Sequence, residues 1–159
     1  MTLEERIVEV LKSKKLVMAC AESCTGGLIA KRITDVSGSS AVFNCGIVSY
    51  SNDIKEKLLG VKKETLCKFG AVSEQTVREM VSGVLSASGA DVAVAVSGIA
   101  GPLSDNTDKP VGLIYLAVSD GKETSVKQLN NKFDTDIRDS NRKSASDEAL
   151  KMILEIVGD

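Results

Sequence analysis

The sequence predicts an α/β domain of three layers, an α/β/α sandwich in which helices cover both faces of a mixed β-sheet. Helical and strand patterns alternate along roughly the first two thirds of the chain, as is typical of strands joined by helical crossovers. A hairpin pattern then surrounds Asp120-Gly121, a strong turn dipeptide, so part of the sheet is expected to be antiparallel. No repeat, low-complexity tract or linker interrupts the 159 residues, and we expect a single domain over residues 1–159.

Five helices are predicted from apolar spacing and from capping residues. Thr2-Leu3-Glu4-Glu5 forms a capping-box pattern at the start of the first helix. Ser51 and Ser73 are good N-caps for the third and fourth helices, which are expected to stop at Gly60 and Gly89. The predicted helices cover about residues 2–14, 25–34, 51–60, 73–88 and 136–157.

Five segments rich in apolar residues predict the strands. The run at residues 16–21 is continuously apolar, which indicates a strand buried on both faces. Residues 92–96, rich in Val and Ala, predict another buried strand, and the hairpin supplies two more. The predicted strands cover about residues 16–21, 43–50, 92–96, 111–119 and 123–129.

Composition limits the partners and the compartment. The net charge is −2, Trp is absent and only 3% of residues are aromatic, which disfavours a nucleic-acid-binding surface. The four cysteines form no C-x-x-C pair and histidine is absent, so free thiols in a reducing cytosol are favoured over a zinc site. No segment resembles a signal peptide or a membrane span. We therefore expect a soluble, cytoplasmic protein with no membrane partner.

Ser23 lies where the first strand gives way to the second helix, in Ala21-Glu22-Ser23-Cys24-Thr25-Gly26-Gly27. A serine at this position is either an N-cap or a nucleophile. The second role is possible because nearby backbone N–H groups can hold a negative charge. Two glycines at a helix start cost stability, but they let a substrate oxyanion or a phosphate approach the backbone. Thr25 can itself cap the helix, which would leave the Ser23 hydroxyl free.

A nucleophilic Ser23 would need a base other than histidine, and Lys55 is the leading candidate. Lys55 falls in or near the first turn of the third helix, where the helix dipole and partial burial both disfavour an ammonium. Its pKa would have to fall from near 10.4 to ~7–8. The alternative is a solvated surface lysine of Lys55-Glu56-Lys57. The neighbouring Tyr50, Ser51 and Asn52 either orient the lysine or substrate or form a cap and turn.

The long segment after the third strand is a second candidate for ligand binding. Ser97-Gly98-Ile99-Ala100-Gly101-Pro102 follows a buried strand, and open α/β sheets bind ligands beyond such carboxyl ends. The rest of the loop, through residues 103–109, could act as a lid. Positive charge for a phosphate could come from Lys109, Arg138 and Arg142, the last two being four residues apart on one helix.

Several blocks of the sequence resemble one known family. They occur in order over nearly the whole chain, which makes the series far more specific than any one block. The blocks are Ala21–Gly27, Val48–Asn52 with Lys55, Leu59-Gly60-Val61, Gly70–Glu74, Ser97–Pro102 and Lys109–Gly112. Together they resemble the competence/damage-inducible CinA C-terminal domain, a family that includes stand-alone nicotinamide mononucleotide deamidases.

The resemblance implies a serine–lysine amidohydrolase that removes ammonia from nicotinamide mononucleotide. Ser23 would be the nucleophile, Lys55 its general base and Tyr50 a further residue of the catalytic pocket. The resemblance also implies a mixed sheet of about five strands and a homo-oligomer, and the mechanism requires no metal or organic cofactor. Glu22 or a nearby carboxylate would match the positive charge of the pyridinium ring. The substrate-binding residues would be Glu22, Cys24, Thr25, Gly26, Gly27, Ser51, Asn52, Ser97, Gly98, Ile99, Ala100, Gly101, Lys109, Arg138 and Arg142.

Two other hypotheses remain open on the sequence. One is a non-catalytic nucleotide-binding or interaction module, in which the glycine turns and arginines bind a phosphate and Ser23 only caps a helix. The other is a hydrolase that uses the same residues on a different amide. Release of ammonia from nicotinamide mononucleotide would separate the first function from both alternatives.

Overall fold

The strands form one five-stranded mixed sheet with the order β2-β1-β3-β4-β5. This computed structural model describes residues 1–159. Strands β2, β1 and β3 run parallel, whereas β4 is antiparallel to both of its neighbours, so the predicted mixed sheet is confirmed. The strands are β1 (Met18–Glu22), β2 (Phe43–Val48), β3 (Val92–Gly98), β4 (Leu113–Ser119) and β5 (Thr124–Asn130).

Six helices cover the two faces of this sheet and confirm the three-layer prediction. One layer contains α1 (Leu3–Lys14), α2 (Leu28–Thr34) and α6 (Ile137–Val157). The other layer contains α3 (Asn52–Leu59), α4 (Lys63–Phe69) and α5 (Glu74–Ser88). The structure contains no helix with the length and apolar character that crossing a bilayer demands.

Alternate side chains of strand β3 pack against the two helical layers. Val92, Val94 and Val96 pack into the core beneath α1, α2 and α6, while Ala93 and Ala95 pack beneath α5. All five side chains are buried, as the continuous apolar run predicts. The small alanine side chains let α5 lie close to the sheet, and the larger valines fill the opposite core.

Helix caps account for most of the boundaries that were predicted correctly. The Thr2 hydroxyl accepts a hydrogen bond from the Glu5 N–H, and Thr2 N–H donates to the Glu5 carboxylate, which confirms the capping box. Ser51 and Ser73 cap α3 and α5 as expected. The other boundaries are unchanged or move by one to three residues, as with α6, which begins at Ile137.

Two local predictions were wrong. Helix α2 begins at Leu28 rather than near Thr25, because Gly26 and Gly27 adopt φ of 59° and 101°, outside the helical region. Helix α4 was missed because its N-terminus is capped from another helix. The Glu79 carboxylate of α5 accepts hydrogen bonds from the Lys62 N–H at 2.8 Å and the Thr65 hydroxyl at 2.6 Å.

Candidate active site

The carboxyl ends of three parallel strands meet at one edge of the sheet. Glu22 of β1 pairs with Val48 of β2, and Ala21 of β1 pairs with Ala95 of β3. The segments that follow these strands therefore lie side by side. Since the chain passes from β1 to β2 on one side while β3 lies on the other, this edge is a topological switch point, where α/β sheets bind ligands.

Ser23 and Lys55 are in direct contact at this edge. The Lys55 amine lies 2.8 Å from the Ser23 hydroxyl oxygen, and it donates a second hydrogen bond of 2.7 Å to the carbonyl oxygen of Ser49. The exposed fraction is 1% for Lys55 and 8% for Ser23. The two side chains thus form a buried pair whose only further partner is a neutral backbone carbonyl.

Burial lowers the pKa of Lys55 from 10.5 to about 8. No carboxylate forms a salt bridge with its amine, so nothing on the chain offsets the loss of hydration with an opposite charge. The nearby Cys24 thiol has a pKa raised by burial to about 11 and stays neutral. Lys55 is therefore not a solvated surface lysine, and about a tenth of its amine is uncharged at pH 7.

Helix α3 places Lys55 by ordinary amphipathic packing. Lys55 and Leu59 lie four residues apart and are the two buried residues of this helix. Ser51 fixes the start of the helix, because its hydroxyl accepts a 3.2 Å hydrogen bond from the Ile54 N–H. The lysine thus occupies a core-facing position that an apolar residue would normally fill.

The turn that carries Ser23 leaves the hydroxyl free of any capping role. Gly27 is the N-cap of α2, so neither Ser23 nor Thr25 caps this helix. The N–H of Gly26 donates to the carbonyl oxygen of Ser23 at 3.0 Å and closes the turn. The N–H group of Cys24 has no acceptor within the chain.

Glu22 does not face the cavity, contrary to the expectation that it matches a positive charge on the substrate. Its side chain is fully buried, and its carboxylate accepts hydrogen bonds from the N–H groups of Ile29 at 2.9 Å and Ala30 at 3.0 Å. The carboxylate therefore caps the N-terminus of α2, where negative charge is favoured. This helix has no other side-chain cap.

A cavity of about 270 Å³ opens beside the Ser23–Lys55 pair. This volume is close to the lower end of the ~300–1,000 Å³ typical of small-molecule sites. Most of the residues singled out from the sequence line it. They are Ser23, Cys24, Tyr50, Asn52, Lys55, Ser97, Gly98, Ile99, Ala100, Gly101 and Arg138.

Arg138 and Tyr50 stand together at this cavity. The Arg138 guanidinium donates to the carbonyl oxygen of Gly101 at 2.8 Å and to the Tyr50 hydroxyl at 2.9 Å. Both partners are neutral, so the positive charge of Arg138 is uncompensated within the chain. Tyr50 is 62% exposed, and its hydroxyl contacts Arg138 rather than Ser23 or Lys55.

Two other predicted cations lie outside the cavity. Lys109 donates to the carbonyl oxygens of Phe69 and Val72, where it ties its loop to the end of α4, so it does not reach a ligand in the cavity. Arg142 donates to the carbonyl oxygen of Thr25 at 2.9 Å and supports the Ser23 turn from behind. The remaining predicted residues that do not line the cavity are Thr25, Gly26, Gly27 and Ser51.

Several cavity residues were not singled out individually from the sequence. Ala71 and Val72 come from the connection between α4 and α5, and the block Gly70–Glu74 was the only signal that pointed to them. Leu103, Ser104 and Asp105 come from the loop that was considered as a lid. Ser49 was also missed, although its carbonyl oxygen holds Lys55.

Solved structures with the same fold come from competence/damage-inducible proteins. The chain is similar to the protein CihA from Agrobacterium tumefaciens, with a TM-score of 0.91 and 42% identity, over 99% of this chain and 94% of that one. It is also similar to a CinA superfamily protein from Klebsiella pneumoniae, with a TM-score of 0.92 and 30% identity, over 98% and 95% of the two chains. These proteins share the three-layer architecture described above.

Residues 1–157 match the model of the CinA C-terminal domain, and the chain belongs to this family. A protein from Enterobacter agglomerans named nicotinamide-nucleotide amidohydrolase PncC is 56% identical over 131 residues, which cover 79% of this chain and 80% of that protein. A CinA-like protein from Kosmotoga olearia is 52% identical over 128 residues, which cover 80% of this chain. The matched part is only 31% of the length of that relative and of other curated relatives.

Proposed function

We propose that the protein is an amidohydrolase that converts nicotinamide mononucleotide and water to nicotinic acid mononucleotide and ammonia. The observation that carries this proposal is the buried contact of 2.8 Å between the Lys55 amine and the Ser23 hydroxyl, at the wall of a cavity. The name of the Enterobacter agglomerans relative supports the choice of substrate. A hydroxyl beside a largely desolvated amine is one arrangement that activates a serine nucleophile without histidine.

The first chemical step would be attack of the Ser23 oxygen on the carboxamide carbon. A neutral Lys55 amine has two N–H groups and one lone pair. One N–H donates to the carbonyl oxygen of Ser49, which helps to direct the lone pair towards the Ser23 hydroxyl. The amine takes the hydroxyl proton as the new C–O bond forms, and it becomes an ammonium.

The negative charge of the tetrahedral intermediate would develop on the former amide oxygen. The N–H group of Cys24, a residue that lines the cavity, has no acceptor within the chain, and we assign it to stabilise this oxyanion. Arg142 supports the same turn through the carbonyl oxygen of Thr25, which helps to hold the Cys24 donor in place.

The intermediate would then break down in two stages. The Lys55 ammonium returns its proton to the amide nitrogen, the C–N bond breaks and ammonia leaves an acyl ester on Ser23. A water molecule, deprotonated by the neutral amine, attacks this ester and releases the nicotinic acid product. The Ser23 hydroxyl and the Lys55 amine are thereby restored.

Arg138 is the residue that we assign to the substrate phosphate. It is the only arginine that lines the cavity, and its charge has no anionic partner in the chain. The hydrogen bonds to Gly101 and Tyr50 hold the guanidinium at the cavity while leaving other N–H groups free for phosphate oxygens.

Incubation of the purified protein with nicotinamide mononucleotide tests the function directly. We expect one ammonia and one nicotinic acid mononucleotide for each substrate consumed, measured by a coupled ammonia assay and by chromatography. Nicotinamide riboside, which lacks the phosphate, serves as the matched substrate control and should react much more slowly. Binding in calorimetry without ammonia release would instead favour a nucleotide-binding module.

We expect the rate to rise with pH because the base must be uncharged. With the pKa of Lys55 at about 8, about a tenth of the amine is neutral at pH 7. The value of kcat/KM should therefore rise roughly eightfold between pH 6.5 and 7.5 and level off above about pH 9. The measurement of kcat/KM starts above pH 6 because the phosphate monoester of the substrate itself titrates near pH ~6.

The control for this profile is the activity recovered at pH 7.5 after exposure to each pH, which separates titration from unfolding. A kcat/KM that stays flat from pH 6.5 to 9 would contradict the assignment of Lys55 as the base.

A further inference from the structure

The cavity contains one acidic side chain, and it is Asp105. Glu22, the other carboxylate near Ser23, is buried beneath α2 with its oxygens bonded to helix N–H groups. Arg138 is the cation of the same cavity. The site therefore presents one positive and one negative group to a ligand, in addition to the Lys55 amine.

The Asp105 carboxylate is held by its own loop. The same carboxylate oxygen accepts two hydrogen bonds, one of 3.1 Å from the Thr107 N–H and one from the Thr107 hydroxyl. The second oxygen has no hydrogen-bond donor in the chain, and no lysine or arginine forms a salt bridge with Asp105. The carboxylate is thus oriented by Thr107 while its negative charge remains unpaired.

We propose that Asp105 is a specificity-determining residue that favours a ligand with a cationic aromatic ring over the same ligand with a neutral ring. This inference rests on the proposed function, whose substrate carries a pyridinium cation and a phosphate anion. Asp105 and Arg138 have the signs that complement these two groups. Asp105 thereby takes the role that the sequence suggested for Glu22, which the fold removes from the cavity.

The expected effect is moderate because Asp105 is exposed. A single charge pair about 4 Å apart in a watery environment changes binding by roughly fivefold. Such an interaction is screened by salt, with a Debye length of ≈ 8 Å at physiological ionic strength. Asp105 should therefore tune ring preference rather than decide whether the nucleotide binds.

The test compares two ligands in a Ser23→Ala background, where turnover is blocked. The ligands are nicotinamide mononucleotide and its 1,4-dihydro form, which keeps the carboxamide and phosphate but has an uncharged ring. We expect Asp105→Asn to raise the Kd of the cationic ligand about fivefold at low salt and to leave the Kd of the dihydro form unchanged. Increasing salt should reduce this difference. Calorimetry supplies both constants.

Asp108→Asn is the matched control, since Asp108 is an exposed acid of the same loop that does not line the cavity. It should change neither Kd appreciably. Equal weakening of both ligands by Asp105→Asn, or no weakening of the cationic one, would overturn the role of Asp105. If wild-type protein releases ammonia while Asp105→Asn leaves the ring preference intact, this inference fails and the proposed function stands. If the nucleotide neither binds nor reacts, both fail.

Discussion

Replacing Ser23 with alanine is expected to abolish ammonia release from nicotinamide mononucleotide. The Ser23 oxygen forms the acyl ester in the proposed mechanism, and no other hydroxyl is in contact with the Lys55 amine. We expect kcat to fall by at least about 10⁴-fold, as is typical when the nucleophile of a hydrolase is removed. The measurement is the steady-state ammonia assay with enough enzyme to detect a residual rate.

The Ser23→Ala protein is expected to fold and to bind the nucleotide. The hydroxyl makes no helix-capping bond, and Lys55 keeps its hydrogen bond to the Ser49 carbonyl in the variant. Ser82→Ala, a change at an exposed serine of α5, is the matched control and should retain full activity. Near-normal turnover by Ser23→Ala would refute the nucleophile assignment, whereas calorimetry with intact binding would show that the loss is chemical.

Lys55→Arg and Lys55→Met are expected to be comparably inactive, with kcat reduced by roughly 10³-fold or more. A guanidinium remains protonated at any accessible pH and cannot accept the Ser23 proton, while methionine has no amine at all. Lys57→Arg, on the same helix but at a solvent-exposed position, should retain activity and is the matched control. If Lys55→Arg kept a substantial rate, the side chain would act through its positive charge and not as a base.

A comparison of the stability of the wild-type protein with that of Lys55→Met tests the pKa of Lys55 independently of activity. The folded pKa of about 8 lies below the ordinary value of 10.5, so the unfolded chain binds more protons between these pH values. Burial of the amine therefore lowers the free energy of unfolding by about 3 kcal/mol below pH 8, and this cost disappears as the pH rises towards 10.5.

Chemical denaturation at pH 7.5 and pH 10 measures this effect. Between pH 7.5 and pH 10, the free energy of unfolding of the wild-type protein should increase relative to that of the Lys55→Met variant, by most of the amount given above. Identical pH dependence in the two proteins would mean that Lys55 does not titrate with a lowered pKa.

The sequence alone was sufficient to nominate Ser23 and Lys55. A serine between a buried strand and a Gly-Gly helix start is either an N-cap or a nucleophile, and without histidine a lysine is the leading candidate for its base. The ordered series of blocks that resembles a known family, rather than this local spacing, favoured the catalytic interpretation. The parallel alignment of β1 and β2 was implied by the alternation of strands and helices, and this alignment brings the two segments to one edge of the sheet. The distance of 2.8 Å and the burial of Lys55 could not be predicted in this way.

The errors concern groups whose partners are distant in sequence or whose side-chain direction is set by packing. Glu22 was expected to match a positive charge on the substrate, but the last side chain of β1 points under α2 and caps it. Lys109 was expected to bind phosphate, yet its amine is used by carbonyl groups 37 and 40 residues away. Helix α4 likewise depends on a cap from Glu79, which no local pattern reveals.

The sequence by itself determined the layer architecture and the caps of α1, α3 and α5, because these follow from short-range spacing and residue type. It nominated Ser23 and Lys55 through the resemblance of ordered blocks to a known family, since spacing alone left an N-cap and a surface lysine open. Only the tertiary structure decided which charges remain free to act. Hydrogen bonds hold the Glu22 carboxylate at the start of α2 and the Lys109 amine at the end of α4, away from the cavity, whereas burial without a carboxylate partner lowers the pKa of Lys55. Such differences arise from desolvation and long-range contacts, which exist only after the chain has folded.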